Sequence, residues 1–487
     1  MDIANTMSIE GKAVSGLRWI GATRFAGQLI SWSITLVVMR LLSPSDYGLM
    51  ASISVLLALL DTVSELGMAA SIVQAPTIST ATIRSISGLS VLAGALAMVL
   101  VCCLAPLIGW LFRDQRLVPL TFVASTQFLI ASLSVVQGAL LTRELQFRRV
   151  AAIELLAAVG ASLVTLTLAL QGCGAWSLLG GNLALVGIRT SALLVFGARI
   201  SPSFNFSGLR RHFLFGGTLV ANRAAYTVIL QSDLAVASRF LPKDAVGVYA
   251  VAVQLATLPM QKLMGLVNQI TLPAVARIQD EPQRVRDAMV KVLSVMSLFS
   301  IPLLWGISAV APELVHVLIG AKWESAVLPI SIICLVVPFR MISAVTNTAV
   351  LGLGIKRLDL INTVSGLLII PSCYVVGVHW GVVGLATAWL VGFPVTLAIT
   401  LRRSASAVGL SLSEVARCIG PAAICGLMMY LAILVVRRGT LDLDGLWRLL
   451  VLVCVGAVTY ILAALLLARK QLPYMRSFLL KRPAGNA

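Results

Sequence analysis

Apolar segments long enough to cross a membrane follow one another along the whole chain. A spanning helix needs about 20 mainly apolar residues, and short polar breaks separate about fourteen such segments in the 487 residues. We predict helices over residues 14–41, 47–72, 85–111, 117–142, 150–170, 175–198, 213–238, 246–272, 290–310, 327–352, 358–377, 381–401, 418–436 and 446–468. Because the breaks are short, little of the chain remains outside the bilayer. The pattern predicts an all-α polytopic membrane protein.

The amino-acid composition agrees with this class. Hydrophobic residues make up 59% of the chain and charged residues 11%, whereas soluble domains carry roughly 25% charged residues. The first apolar stretch, 14–41, is longer than the roughly 7–15 apolar residues of a signal peptide, and no small-residue cleavage site follows it. We therefore expect it to be retained as a helix.

The positive charge of the chain is informative about orientation. The net charge is +18, which in a soluble protein would suggest nucleic-acid binding, but here most basic residues lie between apolar segments. With the N-terminus inside, about 22 Lys and Arg residues fall on the cytoplasmic side and about 8 on the other. This asymmetry predicts an even number of spans with both termini in the cytoplasm. Because the basic residues are explained by membrane orientation, we expect no nucleic-acid partner.

An internal repeat links the first and seventh predicted helices. The segment Arg40–Gly48 (RLLSPSDYG) matches Arg239–Gly247 (RFLPKDAVG), and the two lie 199 residues apart. A second match pairs the segments that begin at Gly174 and Gly381, at the starts of predicted helices six and twelve. Six helices between equivalent elements keep both copies in the same orientation. We predict two pseudo-symmetric six-helix lobes, residues 1–205 and 206–405, followed by two further helices and a cytoplasmic tail in 406–487.

Four short segments carry a family resemblance. Asp61–Gln74 (DTVSELGMAASIVQ), Leu141–Phe147 (LTRELQF), Leu272–Asp280 (LPAVARIQD) and Gly320–Trp323 (GAKW) resemble Wzx-type polysaccharide flippases of the MOP exporter superfamily. The resemblance covers roughly residues 11–400. It implies a MATE-like two-lobe fold in the bacterial inner membrane. It also implies transport of undecaprenyl-pyrophosphate-linked repeat units to the periplasmic face, for capsule, exopolysaccharide or O-antigen synthesis.

Cations within the predicted spans are candidates for substrate binding. A sugar chain and a pyrophosphate cannot cross hydrocarbon without a large desolvation cost, so a flippase needs a wet polar cavity. Intramembrane charges are costly and usually functional, and arginine binds phosphate oxygens bidentately. Helix packing by ion pairs, or snorkelling to the interface, is the alternative explanation. The predicted substrate-binding residues are Arg24, Gln28, Arg223, Gln261, Lys262 and Arg340.

Three acids are candidates for ion coupling. Asp61 and Glu65 share one face of the second predicted helix because they lie four residues apart, and Asp233 lies on the seventh. One of them binds the H⁺ or Na⁺ that drives transport, or they form structural ion pairs. We expect no other cofactor, because Cys and His show no metal-ligand spacing and no P-loop or catalytic-triad pattern occurs.

Several functions remain open at this level. The chain is predicted to be a transporter rather than an enzyme, but a lipid II flippase and a MATE-type small-molecule exporter share the implied fold. A membrane glycan polymerase or ligase is the alternative of another class, although such enzymes need a sizeable catalytic loop and every loop here is under about 20 residues. Expected partners are the lipid-linked oligosaccharide, membrane lipids and, from the resemblance, the polysaccharide polymerase machinery.

Overall fold

The computed structural model describes most of the chain. It covers residues 27, 30–64, 72–73, 78–198, 200–204, 210–440, 443–469, 471 and 473. Side chains are not described for residues 63–64, 210–223, 261–263, 265–266, 268–270, 272–274, 356, 405–406 and 408. Within the described part, the regular structure is helical and contains no strand.

The first of two compact units comprises Met1–Gln231. Its helices are α1 (Ile30–Leu41), α2 (Pro44–Ser64), α3 (Thr80–Leu111), α4 (Leu117–Ser132), α5 (Val135–Arg143), α6 (Phe147–Leu170) and α7 (Ala175–Phe196). α8 (Arg210–Phe240) begins here and ends in the second unit. A core that includes Ile53, Val101, Leu120, Phe128 and Leu179 joins α2, α3, α4 and α7.

The second unit comprises Ser232–Ala487. After the end of α8 it contains α9 (Lys243–Arg277), α10 (Pro282–Ala309), α11 (Ala311–Leu318), α12 (Val327–Gly352), α13 (Lys356–Gly377), α14 (Gly381–Val408), α15 (Leu412–Gly439) and α16 (Gly445–Leu467). Short 3₁₀ turns cover Ala321–Ala326 and Val378–Trp380. The predicted divisions at 205 and 405 stay predictions.

Many of these helices have membrane-spanning character. In the described part, eight helical segments are long and apolar enough to cross a membrane, or up to ten if each of two bent helix pairs forms one span. One of the eight, Arg357–Ser404, consists of α13 and α14, which turn back on each other where Gly377 and Gly384 approach closely. The chain is a multi-pass α-helical membrane protein. The count of fourteen spans stays a prediction, because several predicted helices fall partly on residues outside this description.

The helix boundaries reproduce the spacing of the sequence repeat. Phe240, the end of α8, lies 199 residues after Leu41, the end of α1. Lys243, the start of α9, lies 199 residues after Pro44, the start of α2. In the first copy, the Asp46 carboxylate accepts hydrogen bonds from the backbone N–H and the hydroxyl of Ser43, which caps α2.

The second sequence match, between Gly174 and Gly381, is also visible in the backbone. Gly174 precedes α7 with φ 55° and ψ −132°, and Gly381 begins α14 with φ 68° and ψ −149°. This region of backbone conformation is open almost only to glycine. The two glycines therefore start corresponding helices with the same sharp turn.

The last two helices pack against α10, and ion pairs lie near both ends of that helix. Ile301 of α10 packs in one core cluster with Cys425 of α15 and Ala464 of α16. At one end of α10, Arg286 forms an ion pair with Glu414. At the other, buried Glu313 of α11 binds two arginines: Arg437 of α15 at 2.6 Å and 2.9 Å, and Arg448 of α16, whose Nε lies 3.4 Å from Oε1.

Candidate substrate and ion sites

A buried polar cluster lies inside the second unit. We define the Asp233 cluster as Asp233 of α8, Tyr249 of α9, Arg340 of α12 and Trp389 of α14. The hydroxyl of Tyr249 donates to Asp233 Oδ2 at 3.0 Å, and the indole N–H of Trp389 donates to the Tyr249 oxygen at 2.8 Å. Asp233, Tyr249 and Trp389 are at most 2% exposed. Side chains from α8, α9 and α14 thus form one hydrogen-bond chain that ends at a buried carboxylate.

Arg340 contributes the positive charge of this cluster. Its guanidinium carbon lies 5.3 Å from the centre of the Trp389 ring and 5.6 Å from that of Phe393, within the range of a cation–π interaction. It also attracts the Asp233 carboxylate electrostatically. Within the described part of the chain, however, it forms no ion pair with Asp233 closer than 4.0 Å. The arginine therefore stacks on aromatic rings near the acid and does not pair with it directly.

A cavity of about 780 Å³ lies inside the first unit. Helices α2 to α7 contribute to its walls. We call it the hydroxyl-lined cavity, because five of the described side chains around it are serine or threonine. The polar lining residues are Asp61, Ser90, Ser132, Ser134, Thr142, Glu154, Arg189 and Thr190. Most of these hydroxyls donate to backbone carbonyls of these helices, and Ser134 and Thr190 also contact each other at 3.1 Å.

Two of the charged groups of this cavity form an ion pair. Arg189 Nε lies 2.9 Å from Glu154 Oε1, and the two side chains are about half exposed. Arg189 therefore pairs with an acid of the neighbouring helix. Asp61 also lines the cavity. Among the described lining residues the formal charges sum to minus one.

The remaining predicted site residues are placed only in part. Arg24, Gln28 and Glu65 lie outside the described residues. Arg223 lies on α8, and Gln261 and Lys262 lie on α9, but the structure does not describe their side chains. The predicted layer of four cations therefore stays a prediction. Of the nine predicted residues, the structure brings together two, Asp233 and Arg340.

Sequence reasoning missed the partners of these residues. Tyr249 and Trp389 look like ordinary aromatic residues on apolar helices, and no local pattern connects either to Asp233, which lies 16 residues before Tyr249. No sequence signal singled out the hydroxyl-lined cavity either, because serines and threonines recur along most of these helices. Among the described residues, no group of three or more His, Cys, Asp or Glu side chains is placed to hold a metal ion.

Comparison with known proteins gives the family. The sequence model of a protein family described as polysaccharide biosynthesis protein matches residues 37–328, more than half of the chain. The lipopolysaccharide biosynthesis protein WzxC of Escherichia coli (strain K12) is 27% identical over 390 residues, which cover 79% of each chain. The succinoglycan biosynthesis transport protein ExoT of Rhizobium meliloti (strain 1021) is 26% identical over 307 residues, 60% of this chain and 59% of ExoT.

The fold also has a solved counterpart. The inward closed conformation of the lipid II flippase MurJ superposes with a TM-score of 0.74 over 93% of this chain and 99% of that one, at 14% identity. At this identity the likeness concerns the fold alone. The similarity to WzxC and the family match confirm the resemblance that the four short segments indicated. The chain belongs to the polysaccharide biosynthesis protein family.

Proposed function

We propose that this protein is a flippase for lipid-linked oligosaccharides. It moves undecaprenyl-pyrophosphate-linked repeat units from the cytoplasmic to the periplasmic leaflet, for capsule, exopolysaccharide or O-antigen synthesis. The observation that carries the proposal is the similarity over 390 residues to a lipopolysaccharide biosynthesis protein, in a multi-pass membrane chain. The similarity to ExoT, a succinoglycan biosynthesis transport protein, supports transport rather than enzymatic synthesis.

The polar interior of the two units fits this task. A glycan and its pyrophosphate cross a bilayer only where protein groups replace water. The hydroxyl-lined cavity supplies such groups in the first unit, and the Asp233 cluster supplies buried charge in the second. Arg24, Arg223, Lys262 and Arg340, with Gln28 and Gln261, are the proposed contacts for the anionic part of the substrate.

The proposed architecture follows the repeat. Fourteen spans form two six-helix lobes, 1–205 and 206–405, and two further helices with a cytoplasmic tail occupy 406–487. Helix boundaries separated by 199 residues support the two lobes. The basic residues at 143, 148 and 149 support a cytoplasmic position for the turn between α5 and α6. The protein would then lie in the bacterial inner membrane with both termini inside.

Ion coupling is assigned to one of the three acids. Outward movement of a lipid-linked anion is favoured by an inside-negative potential, at about 2.3 kcal/mol per charge per 100 mV, so the return of the empty carrier is the step that needs help. When no substrate is bound, Asp61 and Glu65 compensate the charge of the proposed cations. Neutralising either acid leaves that positive charge uncompensated in the empty carrier, so it should slow turnover more than it weakens substrate binding. Asp233 is the alternative site for H⁺ or Na⁺. Flipping by Asp61→Asn, Glu65→Gln and Asp233→Asn variants in proteoliposomes, under imposed pH, Na⁺ and potential gradients, separates these cases.

One experiment tests the function as a whole. Deletion of the gene should cause a lipid-linked oligosaccharide to accumulate on the cytoplasmic leaflet, and the wild-type gene should restore export of the polymer. Rescue of a strain that lacks its lipid II flippase would instead identify the substrate as lipid II, and resistance to organic cations would identify a small-molecule exporter. Unpolymerised glycan on the periplasmic face would point to a polymerase or ligase. Pull-down of the polysaccharide polymerase from the same membranes tests the proposed partner.

A further inference from the structure

The turn between α5 and α6 has a backbone conformation that is unfavourable for its residue type. Leu145 has a φ of 56°, in the left-handed region that residues with a Cβ rarely adopt. Its N–H donates to the carbonyl of Thr142 at 3.1 Å, and the N–H of Gln146 donates to that of Leu141 at 2.9 Å. This pair of hydrogen bonds is the Schellman motif, whose left-handed position is usually glycine. Leucine therefore makes this turn more costly than glycine would.

Other helices of the chain end with the same pair of hydrogen bonds but with glycine. Gly172 (φ 75°) and Gly354 (φ 72°) lie two residues after the ends of α6 and α12, as Leu145 lies two residues after the end of α5. Within the described part of the chain, Leu145 and Arg113 are the residues other than glycine with a positive φ. Because the turn itself does not require leucine, a contact of the leucine side chain is needed to explain its presence there.

The protein itself covers little of this side chain. Leu145 is 70% exposed, and Phe147, the first residue of α6, is 56% exposed. Two large apolar side chains thus lie two residues apart on the surface of the turn. Most of the contacts that stabilise them must therefore come from outside the chain.

The turn lies at a membrane surface. α5 belongs to a bent helix pair that is apolar enough to form one span, and α6 is a candidate span by itself, so the three residues between them join two spans directly. α6 has 24 residues and is roughly 36 Å long, whereas the hydrocarbon core of a bilayer is about 30 Å thick. The first residues of α6 therefore reach the layer of the lipid headgroups.

Exposed positive charge adjoins the apolar pair. Arg148 and Arg149 lie in the first turn of α6, and both are exposed. Arg149 donates to the side chain of Gln146 at 2.8 Å, and within the described part of the chain neither arginine forms an ion pair. Cations at this end of a helix meet the positive end of its dipole. The local fold therefore gains little from the two charges, and an anion outside the chain would compensate them.

The neighbouring charges leave this balance positive. Arg143 is engaged within the protein, where its guanidinium donates to the backbone carbonyl of Ile72. Glu144 is the one acid of residues 143–149, and three arginines less one glutamate give the segment a formal charge of +2. The turn therefore combines an exposed apolar pair with a net positive charge at the level of the headgroups.

Anionic phospholipids match both features. A soluble anion would compensate the arginines but leave the apolar side chains in water, and an uncharged lipid would cover the apolar side chains but leave the arginines without a counter-ion. A phospholipid with a net negative charge supplies phosphate oxygens for the arginines and an acyl boundary for the apolar side chains.

We define the basic turn as Leu145, Phe147, Arg148 and Arg149. We propose that the basic turn is a binding site for anionic phospholipids of the leaflet that it faces, which is the cytoplasmic leaflet in our topology. This site is distinct from the proposed substrate contacts, and it does not depend on which lipid-linked oligosaccharide the protein moves.

Hydrogen exchange of the full-length protein in nanodiscs tests the site locally. The nanodiscs contain dioleoylphosphatidylcholine with an increasing fraction of dioleoylphosphatidylglycerol, and exchange is followed in peptides that cover residues 141–150. We expect exchange in the wild type to slow as the anionic lipid increases. The fraction of anionic lipid at half of the full effect is the midpoint that the variants should shift.

Two kinds of substitution should raise this midpoint. Arg148→Gln should raise it about 5-fold, which corresponds to one basic residue near an anionic surface. Leu145→Gly and Leu145→Asn should each raise it about 3- to 10-fold, because both residues tolerate the left-handed conformation and remove the apolar contact. Leu145→Gly should not lower the melting temperature in detergent, because it removes the strained Cβ.

Two matched variants serve as controls. Arg113→Gly replaces the other left-handed residue, in the turn after α3, and should leave the midpoint unchanged. Arg284→Gln removes an exposed arginine at the start of α10, on the side of the membrane that we predict to be cytoplasmic. It should also leave the midpoint unchanged, because the proposed site is local.

Several results would overturn the proposal. Equal exchange of the turn in the zwitterionic and the anionic nanodiscs would show that no anionic lipid binds there. An equal shift by Arg284→Gln and Arg148→Gln would show that net charge alone decides, and an unchanged midpoint in both Leu145 variants would remove the apolar contact. Slower exchange only with added undecaprenyl phosphate, or only with the polysaccharide polymerase, would identify a different partner. Since none of these measurements follows transport, the proposed flippase function is tested separately.

Discussion

The hydroxyl group of Tyr249 donates a 3.0 Å hydrogen bond to the carboxylate of Asp233, across two successive helices of the second unit. The same hydroxyl oxygen accepts the indole N–H of Trp389. Tyr249 therefore connects an acid of α8 to an aromatic residue of α14, and Arg340 stacks against that aromatic residue. Asp233, Tyr249 and Trp389 are buried, so water has little access to replace the partners they give each other.

Removal of the Tyr249 hydroxyl should be costly. Tyr249→Phe leaves one carboxylate oxygen of Asp233 and the N–H of Trp389 without this partner, and an unsatisfied buried polar group costs about 1–3 kcal/mol. We expect a lower free energy of unfolding in detergent by about that amount. Tyr226→Phe, at an exposed position of α8, is the control and should be neutral. An unchanged stability of Tyr249→Phe would show that water replaces the hydroxyl.

The two glycines that begin α7 and α14 should differ in their tolerance to alanine. Both have backbone angles that cost a residue with Cβ about 1–3 kcal/mol. A Cβ at Gly174 would also lie 2.7 Å from Asp46 Oδ1, whereas a Cβ at Gly381 has open space within 4 Å. Gly174→Ala should therefore lower the melting temperature more than Gly381→Ala, and Asp46→Ala should reduce the difference. Equal effects would mean that backbone strain alone decides.

The attachment of the last two helices should depend on Glu313. Arg437→Met removes the bidentate partner of a buried carboxylate, while Arg448 still compensates part of its charge. We expect a loss of about 2 kcal/mol in the free energy of unfolding, below the roughly 3–5 kcal/mol for one partner of a fully buried pair. Arg284→Met, which breaks the exposed pair with Glu281, should cost less than about 1 kcal/mol. Similar values for the two variants would contradict this account.

The proposed anion contacts predict a specific loss of transport. Arg24→Ala or Arg223→Ala should abolish export of the polymer while the protein remains inserted and folded. Lysine at either position should rescue only in part, because it keeps the charge and loses the planar fork that matches phosphate. Arg116→Ala, at an exposed loop position next to Asp114, is the control. Normal export by both alanine variants would reject these contacts.

The orientation of the chain predicts opposite labelling of two positions. In a background without the eight native cysteines, Arg148→Cys in the first turn of α6 should react with a membrane-impermeant maleimide only after the inner membrane is opened. Ser325→Cys, in the exposed 3₁₀ turn before α12, should react in intact spheroplasts. The reverse pattern would invert the topology.

Much of the architecture follows from the sequence because its signals are local. Runs of about 20 apolar residues specify spanning helices without reference to the rest of the chain. The 199-residue repeat likewise appears in the helix ends at Leu41 and Phe240. The glycines at 174 and 381 mark turns that a Cβ would strain. The four short segments identified the family before any contact was known.

The sites were decided by tertiary structure. An isolated charge in an apolar helix is conspicuous in sequence, so Asp233 and Arg340 stand out, but the side chains around them come from residues 16 to 156 positions along the chain from Asp233. Sequence gives the depth of a residue and not the neighbour it faces, so the ion pair between Arg189 and Glu154 follows only from helix packing. The hydroxyl-lined cavity has the same origin. Its serines and threonines lie around one space only because helix packing brings α3 to α7 together.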